Sequence, residues 1–402
     1  MPNVGQALTH QMIAREAAKM LVEENNVVSN INTSREREFG EEVNGYKKGD
    51  TVRVKIPPVP VTYAGATFAG GGSAPSLNEG SVNLTVDQQY HVPLTFTSKE
   101  KKLEISDFRE RFLRPAMNSL SSIVNSVLLS SMKDQTPNVV GAWGTVPATR
   151  AVWRSAASSL DRFLAPEDKR YAHFSLDAND ALAEANATLF HTADELKGEF
   201  SKNAVGMFSG LEFHKQLSLP LHTNGAGTGY LVDGAAESGS AITVKTGTGA
   251  ITKGSTITIA GVFSVHPITG VSTGVLRSFT VTADYAGGAG DVSISPPLIP
   301  TSATVIGTVN ALAADSAAIT IFGTASQSKI QNLVFHREAF ATAFAPLPVI
   351  ASCEGYTATV KDISVRVMTF GNGLTDQEHT RVDVLFALPA AIRADHSVRV
   401  TQ

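Results

Sequence analysis

The chain has 402 residues, of which 43% are hydrophobic and 17% charged, and its 33 basic and 37 acidic side chains give a net charge of −4. This balance argues against tight, sequence-independent nucleic-acid binding, which needs a clustered basic surface. The single cysteine, Cys353, excludes an internal disulfide and any multi-cysteine metal site, and we interpret it as a small buried residue on a strand.

The N-terminal segment predicts an amphipathic helix over residues 6–24. A helix of this size cannot bury its apolar stripe alone, so we expect it to lie against a partner surface. The stripe consists of Leu8, Met12, Ile13, Ala17, Met20 and Leu21. Because the segment lacks the pattern of a secretory signal, we expect the protein to be made in the cytoplasm. No apolar run reaches the ~18 residues that span a bilayer.

Residues 50–98 predict a long two-stranded arm. Apolar residues alternate with polar ones at Val52, Val54 and Ile56 and again around Leu84, while prolines and a Gly/Ala/Ser-rich stretch separate the two strands. Isolated two-stranded ribbons are marginally stable in water, so we expect this arm to lie on a neighbouring subunit.

A charged segment and a long helix follow the arm. Residues 99–114 mix both signs of charge, with Ser106 as a candidate N-cap, and we interpret them as an ion-paired or intersubunit surface. Pro115 suits the first turn of a new helix, and apolar residues recur at a helical period over residues 115–134. A further helix is expected from near Thr149, and residues 171–190 predict a strand followed by a helix.

The composition changes between residues 230 and 328, where eight side chains are charged. Short alternating runs such as AITVKT, STITIAGV and RSFTVTA are separated by turns that contain Gly or Asp. This pattern is typical of a small antiparallel barrel or sandwich. Mixed helix and strand patterns flank it on both sides, so we interpret it as an inserted domain.

Lys253-Gly254-Ser255-Thr256 resembles the end of a phosphate-binding loop. Such a loop needs a lysine that follows a glycine and begins a helix whose N–H groups face the anion. Here the lysine precedes the glycine, and a strand pattern follows. The segment therefore predicts a hairpin turn, with Gly254 at a positive φ.

Gly270-Val271-Ser272-Thr273-Gly274 fits the G-x-S-x-G pattern of serine hydrolases. In those enzymes the serine stands between a strand and a helix. Ser272 is followed by a strand pattern, so we favour a turn or loop and keep a hydrolase that uses Ser272 as a third hypothesis.

The remaining candidates do not assemble into a site. The histidines, among them His10, His91, His173, His191, His214 and His222, show no metal-binding spacing. Asp177 and Asp180 fit helix capping, and Gly225–Gly229 reads as a hinge because no βαβ unit follows it. We predict no catalytic, metal or cofactor-binding residues and no enzymatic activity.

The order of these parts resembles the major capsid proteins of tailed bacteriophages, in particular the short-tailed Salmonella phage coats with a β-barrel insertion domain. Similar segments occur in the same order along most of the chain. They are AVWRSAASSLDRFLAPEDKRYAHFSLDANDALAEA, FSKNAVGMFSGLEFHKQLSLPLHT, TGAITKGSTITIAGV, SKIQNLVFHREAFATAFAPLP and TRVDVLFALPAAIRADHSVRV.

The resemblance implies an α+β tailed-phage capsid fold with a spine helix, a β-hairpin arm, peripheral and axial domains and an inserted small antiparallel β-barrel. The implied parts are the N-terminal arm (1–49), β-hairpin arm (50–98), peripheral domain with spine helix (99–165), axial domain (166–229), barrel (230–328), a second axial and peripheral part (329–380) and the C-terminal strand (381–402).

The same resemblance implies a structural coat protein that forms pentamers and hexamers of an icosahedral shell around double-stranded DNA, without sequence-specific binding and without a membrane. It also implies scaffolding and portal partners, and a place in the virion after assembly in the host cytoplasm. One departure is that the subgroup's charged excursion early in the insertion, which contacts neighbouring capsomers, is short and nearly uncharged here at 230–252. The alternative function is a β-rich surface adhesin or binding module.

Overall fold

A computed structural model describes ten segments of the chain, which fall into two compact units. The described segments are residues 10–24, 26–33, 42–43, 46–47, 51–56, 80–97, 109–186, 206–302, 305–372 and 377–402. The first unit takes the described parts of Met1–Val54, Asn83–Leu128 and Phe340–Ala390, and the second takes those of Lys55–Val82, Leu129–Ala339 and Ala391–Gln402.

The described residues form five α-helices, three short helical turns and 22 strands. The helices are α1 (His10–Glu24), α2 (Asn26–Asn30), α3 (Arg114–Gln135), α4 (Arg150–Arg162) and α5 (Leu176–Asn186), with a π-helical turn at Arg109–Leu113 and 3₁₀ turns at Arg337–Ala339 and Ala394–His396. The strands are β1 (Glu42–Val43), β2 (Tyr46–Lys47), β3 (Thr51–Ile56), β4 (Gly80–Thr97), β5 (Asn138–Val140), β6 (Arg170–Phe174), β7 (Met207–Phe208), β8 (Leu211–Lys215), β9 (Leu221–Thr223), β10 (Leu231–Val232), β11 (Gly239–Lys245), β12 (Thr256–Val265), β13 (Ser272–Val281), β14 (Gly290–Leu298), β15 (Ile319–Ile321), β16 (Ser328–His336), β17 (Phe340–Ala341), β18 (Glu354–Val360), β19 (Ile363–Asn372), β20 (Gln377–Ala387), β21 (Ala390–Ala391) and β22 (Ser397–Thr401).

In the first unit, α1 packs on the chain's own sheet. The sheet has the order β18-β19-β20-β4-β3, and α1 lies against β18 and β19. Ala14, Ala17 and Leu21 are fully buried there, whereas Met12 is 47% exposed. The prediction that this helix needs a partner surface is therefore wrong for its described part. Distant strands of the same chain supply the apolar surface that the local sequence lacks.

The second strand of the predicted arm is also part of this sheet. Residues 86–97 of β4 pair with β20 in an antiparallel ladder, and Val54 and Leu84 are buried. This half of the arm is thus not the isolated ribbon that the sequence predicted. Residues 57–79, between the two strands, lie outside the described residues.

In the second unit, a mixed sheet has the order β5-β22-β16-β6-β8-β7, with β9 also paired to β16. The β5–β22 and β6–β8 pairs are parallel, and the β16–β22 and β16–β6 pairs are antiparallel. The helix α4 contacts β22 and β5. Trp153 of α4 is fully buried among Phe174, Val334 and Val398, and its indole N–H donates to the Pro147 carbonyl at 3.0 Å.

The predicted insertion forms a six-stranded antiparallel barrel in the order β10-β11-β14-β13-β12-β15. Its ends meet where Leu231 bridges to Ala318 and the Val232 N–H donates to the Ala317 carbonyl at 3.0 Å. The interior is filled by alternate residues of the strands, including Ile242, Ile257 and Phe279. The prediction of a small antiparallel barrel inserted in an α+β protein is confirmed.

The predicted long helix is α3, with Pro115 in its first turn. Met117, Leu120, Val124 and Leu128 are fully buried, as their period predicted, while Ile123 is 42% exposed. Thr149 precedes α4, in agreement with the predicted start of that helix. Among the described residues, no helix combines the length and hydrophobicity needed to cross a bilayer.

Candidate functional site

The phosphate-loop look-alike is a turn at the base of the barrel. The Ser255 N–H donates to the Thr252 carbonyl at 3.1 Å, and Gly254 has a φ of +84°. β12 begins at Thr256, so no helix N-terminus is available to face an anion. The predicted turn with a positive φ at Gly254 is confirmed. It is not a hairpin turn, because β11 and β12, the strands before and after it, are not neighbours in the barrel.

This turn connects the barrel to the mixed sheet. Arg399 of β22 donates to the Gly254 carbonyl at 2.7 Å and also to the Thr256 hydroxyl. The Thr280 hydroxyl of β13 donates to the Asp134 carbonyl, near the end of α3, at 3.1 Å. We name this contact the barrel joint and define it by Lys133, Asp134, His222, Gly254–Thr256, Thr280 and Arg399.

A buried histidine links two sides of the joint. The Lys133 ammonium and His222 Nδ1 are 3.2 Å apart, and His222 Nε2 is 3.3 Å from the Ser255 hydroxyl. Because an ammonium can only donate, Nδ1 accepts and the Nε2–H donates to Ser255. The Trp143 ring lies nearly perpendicular to the imidazole, with the ring centres 6.3 Å apart. Burial, together with the Lys133 and Arg399 cations, lowers the pKa of His222 to about 3, so the imidazole is neutral at pH 7.

The charges of the joint are only partly balanced. Lys133 forms an ion pair of 2.6 Å with Asp134, and Arg399 is 2% exposed. Burial lowers the pKa of Lys133, against the opposing effect of Asp134, and lowers the pKa of Arg399 to about 10. The carbonyl and hydroxyl acceptors of the turn therefore replace part of the water that would solvate these cations outside the protein.

A second contact secures the barrel farther along β13. The Arg277 guanidinium is 1% exposed, forms a 2.5 Å ion pair with Asp395 and lies 4.8 Å from the centre of the Phe163 ring. Hydrogen bonding and cation–π contact together compensate for the desolvation of this cation. The barrel is thus held at two places by arginines that meet acceptors from distant parts of the chain.

The serine-hydrolase look-alike is the tip of the β12–β13 hairpin. Ser272 begins β13, and its hydroxyl accepts from the Gly274 N–H at 3.3 Å. The His266 Nδ1 accepts from the N–H groups of Ile268 and Thr269, at 3.3 and 3.2 Å. This nitrogen is therefore occupied within its own turn, and Ser272 is followed by a strand. The predicted turn is confirmed.

The other histidine and acidic candidates have structural surroundings. His173 stacks on His214, with ring centres 5.4 Å apart, and burial lowers the pKa of His173 to about 3. Asp177 stands in the first turn of α5, but the side chain that caps this helix is Ser175, which accepts from the Ala178 N–H at 3.1 Å. The described residues contain no group of three acidic, histidine or cysteine side chains that could hold a metal ion.

The structure contradicts the predicted position of Cys353 and agrees with the predicted position of the glycine-rich segment. Cys353 is half-buried in a turn before β18 rather than buried on a strand, so that interpretation is wrong. Gly225–Gly229 connects β9 to β10, as expected of the entry to the barrel, and the Thr228 N–H donates to the Thr248 carbonyl at 3.0 Å. His191 and residues 99–108 lie outside the described part of the chain.

Sequence reasoning missed most of the barrel joint. It considered the 252–256 turn only as a false phosphate loop and His222 only as one of several scattered histidines. No local pattern marks the roles of Lys133 and Arg399, because the groups that they contact across the joint, His222 and Gly254, lie far away in the sequence. One signal was available: Arg399 lies in the strand pattern SVRV near the C-terminus, and a cation in a buried strand needs acceptors elsewhere.

Comparisons with known proteins found a family model and several solved structures that are similar to this chain. A family model described as "P22 coat protein - gene protein 5" matches residues 46–395. The structure from Mycobacterium phage Che8 is 12% identical, with a TM-score of 0.48, over 93% of this chain and 89% of that chain. The capsid structure of the cyanophage P-SCSP1u is 11% identical, with a TM-score of 0.45, over 92% and 88%.

The CUS-3 coat protein I-domain is 30% identical over 23% of this chain and 93% of that chain, with a TM-score of 0.19. In the comparison with curated proteins, no sequence matches significantly.

Proposed function

As the chain belongs to the P22 coat protein family and is a major capsid protein of a many-copy shell, we propose that its copies form the pentamers and hexamers of an icosahedral phage head around double-stranded DNA. The family match over residues 46–395 carries this proposal. The net charge of −4 supports it, because a slightly acidic shell can enclose DNA without binding it tightly. Scaffolding and portal proteins are the further partners we propose, with assembly in the host cytoplasm.

We also propose that the chain catalyses no reaction. The family is one of structural coat proteins, and Ser272 lies on a hairpin with the Nδ1 of its nearest sequence histidine occupied. The family assignment likewise argues against the adhesin hypothesis. The domain roles proposed for residues 1–49, 50–98, 99–165, 166–229, 230–328, 329–380 and 381–402 follow the same family pattern.

Within this function we propose that the barrel is a rigid outer part of the subunit. Two buried arginines support this role. Arg399 of the mixed sheet donates to the Gly254 carbonyl of the barrel, and Arg277 of the barrel pairs with Asp395, which precedes β22. Moving the barrel would leave those cations without acceptors in a dry environment, which is costly.

Expression of the full chain in bacteria tests the assembly proposal. The protein should sediment as large particles, and negative-stain electron microscopy should show shells with a uniform wall. A chain that remains monomeric up to high concentration, measured by analytical ultracentrifugation, would refute the proposal.

A further inference from the structure

The barrel has an exposed apolar surface made by two loops. One is the tip of the β12–β13 hairpin, His266–Val271, and the other is formed by residues 299–302 and 305–309 of the connection that follows β14. We name the two together the barrel cap. Within the second loop, the Thr308 side chain accepts from the Ile299 N–H at 3.1 Å. The contact between the two loops is at Gly270, where a Cβ would lie 2.6 Å from the Thr301 methyl group. The two loops therefore touch and present one surface.

Four large aliphatic side chains of the cap face solvent. Ile268 is 52% exposed, Val271 65%, Ile299 39% and Val305 47%. Segments 258–276 and 292–314, which contain the cap, hold no Asp, Glu, Lys or Arg. An exposed apolar patch without charged residues is typical of an interaction site rather than of a solvated surface.

The charges of the barrel lie outside the cap and are largely engaged elsewhere. Lys245 pairs with Asp315 at 2.5 Å and with Asp233 at 3.7 Å. The Asp284 carboxylate accepts from the Lys253 N–H at 2.7 Å. These groups therefore neither solubilise the cap nor provide it with a charged rim.

We propose that the barrel cap binds another copy of this chain inside the assembled shell. The inference rests on the proposed function, because a coat subunit in a shell is surrounded by copies of itself. Each copy carries a net charge of −4. An uncharged surface lets two such copies meet without repulsion between like charges at the contact.

The size of the patch indicates when this contact forms. Four side chains expose a few hundred Å², well below the roughly 800 Å² per partner of a stable two-body interface. The cap alone therefore leaves free subunits monomeric. In a shell, several modest contacts on one subunit act together, so that the same patch becomes occupied.

A cysteine-accessibility experiment tests the proposal. Val271→Cys is introduced together with Cys353→Ser, and maleimide labelling rates are compared between free subunits and shells whose only protein component is this chain. The thiol at position 271 should be labelled at least about tenfold more slowly in shells than in free subunits, because the neighbouring copy covers it. Ala289→Cys, at an exposed position of the same barrel outside the cap, is the matched control and should keep its rate.

A second pair of variants tests the energetic contribution. Val271→Asp should leave the unfolding midpoint of the free subunit unchanged and reduce the assembled fraction at least about tenfold, because it places an unpaired carboxylate in an apolar contact. Ala289→Asp adds the same charge elsewhere and should assemble like the wild type.

The outcomes separate this inference from the proposed function. If wild-type protein forms shells but the thiol of the Val271→Cys variant labels equally fast in both states, or if Val271→Asp assembles normally, the cap proposal is wrong and the shell assignment stands. Protection of that thiol only in particles that contain a second protein also overturns the cap proposal. If the wild type forms no shells at all, the proposed function itself fails.

Discussion

The guanidinium of Arg399 donates a 2.7 Å hydrogen bond to the carbonyl of Gly254, 145 residues earlier in the chain. Arg399 belongs to β22 of the mixed sheet, and Gly254 lies in the turn that precedes β12 of the barrel. The pair joins the inserted barrel to the mixed sheet that flanks it in sequence.

Replacing Arg399 by methionine should lower the free energy of unfolding of the subunit by about 1.5–3 kcal/mol, because the Gly254 carbonyl and the Thr256 hydroxyl lose a charged donor in a buried place. Urea denaturation followed by circular dichroism measures this loss. Arg154→Met, on an exposed position of α4, removes the same charge and should change stability by less than about 0.5 kcal/mol. Equal effects of the two variants would contradict the role of the joint.

Gly254→Ala should be more destabilising than Gly274→Ala. Both glycines have positive φ, +84° and +73°, so each alanine costs roughly 1–2 kcal/mol of backbone strain. A Cβ on Gly254 would also lie 2.4 Å from the Asp134 carboxylate, whereas one on Gly274 would meet nothing within 4 Å. The difference between the two unfolding free energies isolates the contact at the joint, and no difference would argue against it.

Acidification should destabilise the subunit partly through His222. Its pKa is about 3 in the folded chain and about 6.5 when unfolded, so the unfolded state binds more protons and stability falls as the pH drops below about 6.5. Between pH 7 and pH 5 one such histidine contributes a loss of about 2 kcal/mol.

Histidine variants test this pH dependence by denaturant titrations at the two pH values. His222→Gln keeps groups that can bind Lys133 and Ser255, and it should show a correspondingly smaller loss. Some dependence should remain, because burial also lowers the pKa of His173 to about 3 and that of His396 to about 4. His91→Gln, at an exposed position of β4, should behave like the wild type, and the same behaviour in His222→Gln would contradict the assignment.

In the first unit, the Asp383 carboxylate contacts two arginines of its own sheet. Its fully buried carboxylate accepts from Arg366 at 3.0 and 2.5 Å and lies 3.0 Å from the Arg381 Nε. Asp383→Asn should cost about 3–5 kcal/mol, because the buried Arg366 loses its counter-ion. Thermal unfolding of the free subunit measures the loss. Asp87→Asn, on the exposed side of β4, is the control, and a similarly small effect of both changes would contradict the prediction.

The position of α1 is testable in the unassembled subunit. Leu21→Ala should reduce its unfolding free energy by about 2–5 kcal/mol, because the side chain is fully buried. Met12→Ala, at a position that is 47% exposed, should have an effect of less than about 0.5 kcal/mol. If Leu21→Ala affects only shell formation and leaves the free subunit unchanged, the helix is covered by a neighbour after all.

Short-range patterns were sufficient for several conclusions. Alternation with a period of two, glycine turns and scarce charge predicted the barrel, and the order Lys-Gly-Ser before a strand pattern correctly predicted a turn at residues 252–255. The helical period over residues 115–134 predicted α3. These features depend on neighbours within a few residues, so the linear sequence contains them.

Only the tertiary structure determined which strands pack against α1 and the second arm strand, and which groups accept hydrogen bonds from Arg399. An apolar stripe indicates how much of a helix surface must be buried, but it does not identify the segment that packs against it. The strands that cover α1 come from residues 354–372, and the acceptor of Arg399 comes from another domain of the chain. Composition and periodicity therefore determined which elements form, whereas their partners follow from contacts between segments more than a hundred residues apart, which no local pattern specifies.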